Sequence, residues 1–134
     1  MKRVGIYHYQ YYRGACKLCY RHFIQEMVES YEKCHEVARK IYGEDIEFFH
    51  YTDFGQYDSE STDRPSFHRF EEAIEEGQLD VAMCYRLNNI TTDEDRIVEI
   101  YKKIREHGMD FITYGHGLDA MKYLDLFIQK REQR

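Results

Sequence analysis

Residues 63–87 read DRPSFHRFEEAIEEGQLDVAMCYRL, and this stretch decides the fold. Pro65 has a fixed backbone angle that suits the first turn of a helix, and Gly77 suits the position just past a helix end. The apolar run at 79–85 that follows is typical of a buried strand. The stretch therefore predicts a helix that is followed almost at once by a strand.

The same alternation continues on both sides of this stretch. Apolar periodicity and turn residues predict these elements: strands at 3–9, 46–51, 79–85 and 110–114, and helices at about 15–42, 65–77, 91–108 and 118–130. Residues 52–62 are turn-forming and predict an exposed loop. Strands that alternate with helices indicate an α/β fold of three layers, a mostly parallel sheet of four to five strands with helices on both faces. Sites in such sheets lie beyond the carboxyl ends of the strands, here at 9–12, 51–55 and 86–92.

Length and charge limit the classes of function. The chain has 134 residues and a formal net charge of −6, which predicts one domain over residues 1–134 and at most weak DNA contact by this chain alone. No apolar run approaches the ~20 residues of a membrane span, and residues 1–14 lack the apolar core of a signal peptide. We therefore expect a cytoplasmic protein that does not enter a membrane.

The last predicted helix is unusually apolar. Eight of the eleven residues from Leu118 to Ile128 are apolar or aromatic, which is more than one sheet face covers. Large exposed apolar patches are rare on monomers, so we expect residues 118–130 to form the interface of a dimer of identical chains. The expected contact residues are Leu118, Met121, Leu124, Phe127 and Ile128. The alternative is a terminal helix that is buried within its own domain.

Three stretches, in this order and spacing, resemble the catalytic domain of the serine recombinases, the resolvase–invertase family. They are VGIYHYQYY at 4–12, FFHYTDFGQYDSESTDRP at 48–65, and the 63–87 stretch with its Arg-Pro-x-Phe helix start and Gly-x-x-Asp strand. The resemblance covers nearly the whole chain. It implies a resolvase-like fold with a long carboxyl-terminal dimerisation helix, and it implies cleavage and exchange of DNA strands as the family activity.

The resemblance also implies a mechanism. A serine hydroxyl attacks a backbone phosphate and becomes linked to the DNA, without a metal or another cofactor. Several arginine side chains neutralise the charge that develops on the phosphate. Family members also carry a helix-turn-helix domain for DNA recognition, and we expect none within residues 1–134.

This sequence departs from the family at the positions that carry the chemistry. The family's arginine and serine after the first strand, and its aspartate and two arginines after the third, fall in that order on Tyr9, Tyr11, Asn88, Asn89 and Thr92. Of the expected polar set, Asp53 and Arg64 remain. The resemblance therefore implies a catalytically inactive domain that acts through association, with an active recombinase as a candidate partner.

Two alternatives stay open. An active recombinase could use other residues, with the Tyr11 phenol as the attacking group, although a phenol with a pKa of about 10 needs activation. Cys16, Cys19 and His22 are spaced three apart and could bind zinc or, as a thiol pair at a helix start, carry redox chemistry. No clean second pair of ligands follows at zinc-site spacing, so structural cysteines are the competing interpretation.

Overall fold

The computed structural model describes residues 1–11, 17–55, 64–87, 90–91, 93–115 and 118–132. Within them the chain forms strands and helices in alternation. In chain order these are β1 (Lys2–Tyr11), α1 (Lys17–Tyr42), β2 (Ile46–Gly55), α2 (Pro65–Glu75), β3 (Val81–Cys84), α3 (Glu94–Glu106), β4 (Asp110–Thr113), β5 (Leu118–Asp119) and α4 (Ala120–Glu132). The predicted order of elements is confirmed, with β5 as an addition.

The strands form one sheet in the order β2-β1-β3-β4-β5. The first four strands run parallel, and the two-residue β5 pairs antiparallel with β4. Parallel neighbours need a crossover connection, and α1, α2 and α3 provide the three crossovers. The predicted α/β fold with a mostly parallel sheet is therefore confirmed.

Side chains that alternate along β1 build two separate cores, one on each face of the sheet. Val4 and Ile6 pack on one face against buried side chains of α1, namely Tyr31, Cys34 and Ala38. Tyr7 and Tyr9 pack on the other face against residues of α2, α3 and α4, among them Phe67, Phe70, Tyr101 and Leu124. Helices therefore cover both faces, and Tyr7 and Tyr9 of β1 lie on the face that α2 covers.

Helix α2 begins at the predicted residue and ends at Glu75, two residues before the predicted end at Gly77. Arg64 is the N-cap residue and Pro65 is the first helical residue. Gly77 follows the helix with a backbone φ of +67°, a left-handed conformation that glycine adopts without a side-chain clash. Local sequence signals thus fix both ends of the helix that lies over the candidate site.

Strand β2 is longer than the sequence predicts. Residues 52–55 were expected in a loop, but they continue the pairing with β1 as far as Tyr11 opposite Gly55. The continuous ladder satisfies backbone groups that a loop would leave to water, and this outweighs the local turn preference. As a result Asp53 lies in a strand, opposite Tyr9 of β1.

The carboxyl-terminal segment also differs from expectation. Leu118 and Asp119 pair with Thr113 and Ile112 of β4, so the helix starts at Ala120 instead of Leu118. The described helix has 13 residues, which is shorter than the long helix implied by the family resemblance. Among the helices that the structure describes, none has the length and apolar character needed to cross a membrane.

Candidate active site

Asp53 links β1, β2 and α2 at the carboxyl edge of the sheet. Its buried carboxylate accepts hydrogen bonds from the Tyr7 hydroxyl at 3.0 Å and from the backbone N–H groups of Ser66 at 3.0 Å and Phe67 at 2.9 Å. The two N–H groups belong to the first turn of α2, where no residue of the helix itself can accept them. Asp53 therefore acts as an N-terminal cap of α2 from a neighbouring strand, and its charge lies at the positive end of the helix dipole.

Arg64 is buried directly before α2. Its Nη1 donates to the carbonyl oxygen of Ile90 at 2.7 Å, which connects α2 to the segment after β3. Its guanidinium lies 4.1 Å from the centre of the Phe67 ring, within the range of a cation–π contact. Arg64 thus binds together two elements of the fold.

Tyr7 completes this buried group. Burial, and next the negative charge of Asp53, raise the pKa of the Tyr7 hydroxyl well above its usual value, while the nearby Arg64 opposes the shift. The phenol therefore stays protonated and donates to Asp53. Its ring packs against Phe67 and Phe70, with centroid distances of 5.1 and 5.8 Å.

A serine that no family motif marks lies on the same turn of α2. Ser66 is buried, and its Oγ accepts a hydrogen bond from Nη2 of Arg69 at 2.8 Å. The guanidinium of Arg96, on α3, lies 5.5 Å from the centre of the Phe67 ring and forms an ion pair with Glu71 at 3.2 Å. The spacing of three between Ser66 and Arg69 on a predicted helix is the sequence signal that could have paired them.

The structure describes only some of the predicted site positions. Tyr9 is 7% exposed, and its side chain packs in the core beneath α2. Tyr11 is described as the last residue of β1, without its side chain. Asn88, Asn89 and Thr92 lie outside the described residues.

A family model described as "Resolvase, N terminal domain" matches residues 25–129. The chain belongs to this resolvase family. The matched range begins within α1, after Tyr9 and Tyr11, so the assignment of those two positions rests on the motif resemblance and on the fold. A comparison with curated protein sequences gave no match.

Solved structures of recombinase domains are similar to this chain over 84–99% of its length. The N-terminal catalytic domain of TP901-1 integrase has 18% identity, 98% coverage of both chains and a TM-score of 0.67. A resolvase family site-specific recombinase from Streptococcus pneumoniae has 15% identity, 99% coverage of this chain and 89% of its own, and a TM-score of 0.67. The C-terminal catalytic domain of ISC1926 TnpA, an IS607-like serine recombinase, has 11% identity, coverage of 84% and 67%, and a TM-score of 0.59. These likenesses show the fold.

The predicted cysteine site of this resolvase domain is described only in part. Cys16 lies outside the described residues, and Cys19 and His22 are described as backbone positions of α1. Within the part of the chain that the structure describes, no group of three or more His, Cys, Asp or Glu side chains is arranged to hold a metal ion. The zinc and redox interpretations therefore stay predictions.

On the opposite face of the sheet, a chain of polar groups fixes the tautomer of the buried His8. Gln10 Nε2 donates to Glu26 Oε2 at 2.9 Å, so the atom that Gln10 turns towards His8 is its Oε1, which accepts from His8 Nε2 at 2.8 Å. Nε2 of His8 then carries the proton, and its buried Nδ1 has no hydrogen-bond partner. Burial is the main cause that lowers the pKa of His8.

A pair of histidines lies further along this face. His35 of α1 and His50 of β2 place their Nε2 atoms 2.7 Å apart. Burial and the neighbouring His50 lower the pKa of His35, and burial lowers that of His50. The two residues are 15 positions apart, one on α1 and one on β2, so the spacing in the sequence does not predict the contact.

Helix α4 distributes the predicted interface residues between the core and the surface. Leu124 is 3% exposed and packs inside the domain's own core, so it is not available to a partner. Met121 and Ile128 are partly buried against the same core, and Phe127 is also half-buried. Leu118 lies in β5 and not in the helix. Among the side chains of α4 that the structure describes, Leu126 is a large apolar one that is exposed, at 53%.

Proposed function

We propose that this resolvase domain has lost the chemistry of DNA strand cleavage and serves as an interaction module in site-specific recombination. The observation that carries the proposal is the use made of Asp53 and Arg64. Asp53 caps α2 with three hydrogen bonds, and Arg64 connects α2 to Ile90. Both side chains stabilise the fold, which gives a reason for their presence without catalysis.

So many of the family's catalytic side chains are replaced in this chain that we expect DNA cleavage to be lost and not merely slowed. Removal of a single electrostatic donor from such a site costs about 10²–10³ in rate. Here three arginines and the serine nucleophile of the family pattern are replaced, by residues that include Tyr9 and Tyr11. Tyr9 occupies its position as a buried core residue, and a neutral phenol does not compensate phosphate charge.

An active enzyme is the second candidate, and the contact between Ser66 and Arg69 favours it. A serine hydroxyl beside arginines is what phosphoryl transfer requires. However, Ser66 is only 6% exposed, and its backbone N–H is held by Asp53. A phosphodiester would reach its Oγ only if the first turn of α2 opened, so we favour the inactive domain.

Supercoiled plasmid that carries a library of random inserts tests the loss of cleavage. We expect the purified chain to leave the fraction of supercoiled DNA equal to that in buffer. Relaxation or nicking that disappears in Tyr11→Phe or in Ser66→Ala would establish an active enzyme and refute the proposal. A plasmid with its cognate serine recombinase serves as the positive control for the assay.

The proposed mode of association is a dimer through residues 118–130. What supports it is the exposure of Leu126 together with the partly exposed Phe127 on the same helix. We expect light scattering after size exclusion to give the mass of a dimer, and Leu126→Glu to shift it towards the monomer. Gln129→Glu adds the same charge one turn away at an exposed polar position and should leave the dimer intact. At a concentration of about 100 μM even a weak dimer is populated. A wild-type chain that is still monomeric there would contradict this part of the proposal.

A further inference from the structure

The contact between His35 and His50 lies away from the candidate active site. His50 is on the face of β2 that α1 covers, because it is opposite Ile6 of β1, whereas Asp53 faces α2. β2 is one of the two edge strands of the sheet, and His50 is exposed there to solvent. An ion from solution can therefore reach the pair without any movement of the core.

Neighbouring aromatic rings hold both imidazoles in place. The His35 ring stacks on Phe48 with a centroid distance of 4.0 Å and an interplanar angle of 25°. The His50 ring meets the Tyr31 ring edge to face at 4.6 Å. Tyr31 is itself fixed, since its hydroxyl donates to the Tyr51 carbonyl at 3.1 Å. Such support reduces the conformational freedom that ligand side chains lose when they bind a metal.

We propose that His35 and His50 form a two-histidine chelating site for a divalent transition metal of the nickel and copper class. Neutral imidazole nitrogens are ordinary ligands of these ions. The two Nε2 atoms are already adjacent, at 2.7 Å. Metal binding would replace the hydrogen bond between the rings. The imidazole that donates from Nε2 would move that proton to Nδ1, and both rings would turn so that their Nε2 lone pairs meet at one ion.

The separation of the two nitrogens determines which geometry fits. With metal–nitrogen distances of ~2.0–2.1 Å, a 2.7 Å span subtends roughly 80–85° at the metal. A right angle needs a span of about 2.9 Å, whereas a tetrahedral angle needs about 3.3 Å at the same bond lengths. The span between the two nitrogens therefore changes less for square-planar and octahedral ions such as Cu²⁺ and Ni²⁺ than for tetrahedral Zn²⁺.

The surroundings leave the other coordination positions to water. Within the described residues no third His, Cys, Asp or Glu joins the pair in an arrangement that could hold a metal. Arg39 of α1 lies over the Phe48 ring at 5.6 Å and is paired with Glu44 at 3.5 Å, and its positive charge contributes to the lowered pKa of His35. Two protein ligands predict moderate affinity, and they would connect α1 directly to the edge strand.

The proposal is tested by measuring the binding of Ni²⁺ to the tag-free chain with calorimetry in a non-chelating buffer. We expect one Ni²⁺ per chain, bound more tightly than Zn²⁺. His35→Gln and His50→Gln should each weaken the affinity for Ni²⁺ at least about tenfold, because loss of a residue that only supports a metal ligand already costs about 10–100-fold in affinity. The matched control is His68→Gln, an exposed histidine on α2, which should bind nickel like the wild type. The variant Cys16→Ser with Cys19→Ser should also keep the nickel site.

Nuclear magnetic resonance of the wild-type chain gives a second readout that does not depend on folding of the variants. Substoichiometric Ni²⁺ should broaden two of the seven histidine ring signals first, and assignment should identify them as His35 and His50. Nickel affinity that is unchanged in both histidine variants, or that is lost in the cysteine variant, would overturn the proposal. Failure here would leave the proposed loss of DNA cleavage untouched, because that proposal rests on the opposite face of the sheet.

Discussion

Replacement of Asp53 by alanine should destabilise the domain severely. The change leaves three buried donors without their acceptor: the Tyr7 hydroxyl and the backbone N–H groups of Ser66 and Phe67. A lost N-cap costs about 0.5–2 kcal/mol, and an orphaned buried donor such as the phenol costs about 1–3 kcal/mol. Relief of the desolvation of a buried carboxylate offsets part of this cost. We expect a net loss of about 3 kcal/mol in the free energy of unfolding.

Urea denaturation followed by circular dichroism measures this loss directly. The comparison variant Tyr7→Phe removes one hydrogen bond without leaving a donor orphaned, and it should cost only about 1 kcal/mol. Asp45→Ala changes an exposed carboxylate and should stay within about 0.5 kcal/mol of the wild type. All variants should keep the same dependence of unfolding free energy on urea concentration, because the same surface is exposed on unfolding.

The opposite result would refute the structural role of Asp53. Residues retained for catalysis commonly cost stability, so their replacement often stabilises the protein. If Asp53→Ala were as stable as the wild type or more stable, Asp53 would not serve the fold. The residue would then have to be explained by the chemistry of a working active site.

Three further predictions follow from the two cores. Because burial lowers the pKa of His8 in the folded chain, the unfolded chain binds a proton at this residue first as the pH falls below about 6.5. Stability should therefore fall towards pH 5, with a slope of at most ~1.4 kcal/mol per pH unit from this group, and His8→Gln should flatten that slope in thermal melts. Gly5→Ala should lower the free energy of unfolding in urea by about 1–3 kcal/mol, because the added methyl would lie 2.5 Å from a Leu79 methyl group. An unchanged stability would mean that the Leu79 side chain moves freely. Burial raises the pKa of Cys34 to about 12 and that of Cys84 still further, so iodoacetamide at pH 8 should label neither thiol in the folded chain. Peptide mapping measures the labelling, and rapid reaction of either cysteine would contradict the described packing.

Much of the fold follows from local signals around α2. Pro65 and Gly77 mark the ends of this helix, and the apolar run after Gly77 marks β3, so the sequence alone predicts this unit. The alternation of such units then predicts a parallel sheet. The extension of β2 to Gly55 was not predictable in this way, because it depends on pairing with β1 over ten residues.

The candidate site was predicted in its location but not in its contacts. The resemblance marks Asp53 and Arg64, yet it does not reveal that Asp53 caps a helix 12 residues further along the chain. The contact between His35 and His50 joins a helix to an edge strand and likewise needs the tertiary structure. In α4, Leu124 and Leu126 lie on nearly opposite sides of the helix, and which of them enters the core depends on how α4 packs against the rest of the domain.

Intact-mass measurement of the protein recovered from a DNA reaction tests the loss of cleavage chemistry most directly. The purified chain is incubated with supercoiled plasmid, denatured to trap any covalent link, digested with nuclease and weighed by mass spectrometry. The account predicts a single species with the mass of the unmodified chain. A species heavier by one or more nucleotides, with the addition mapped to Tyr11 or Ser66, would contradict it.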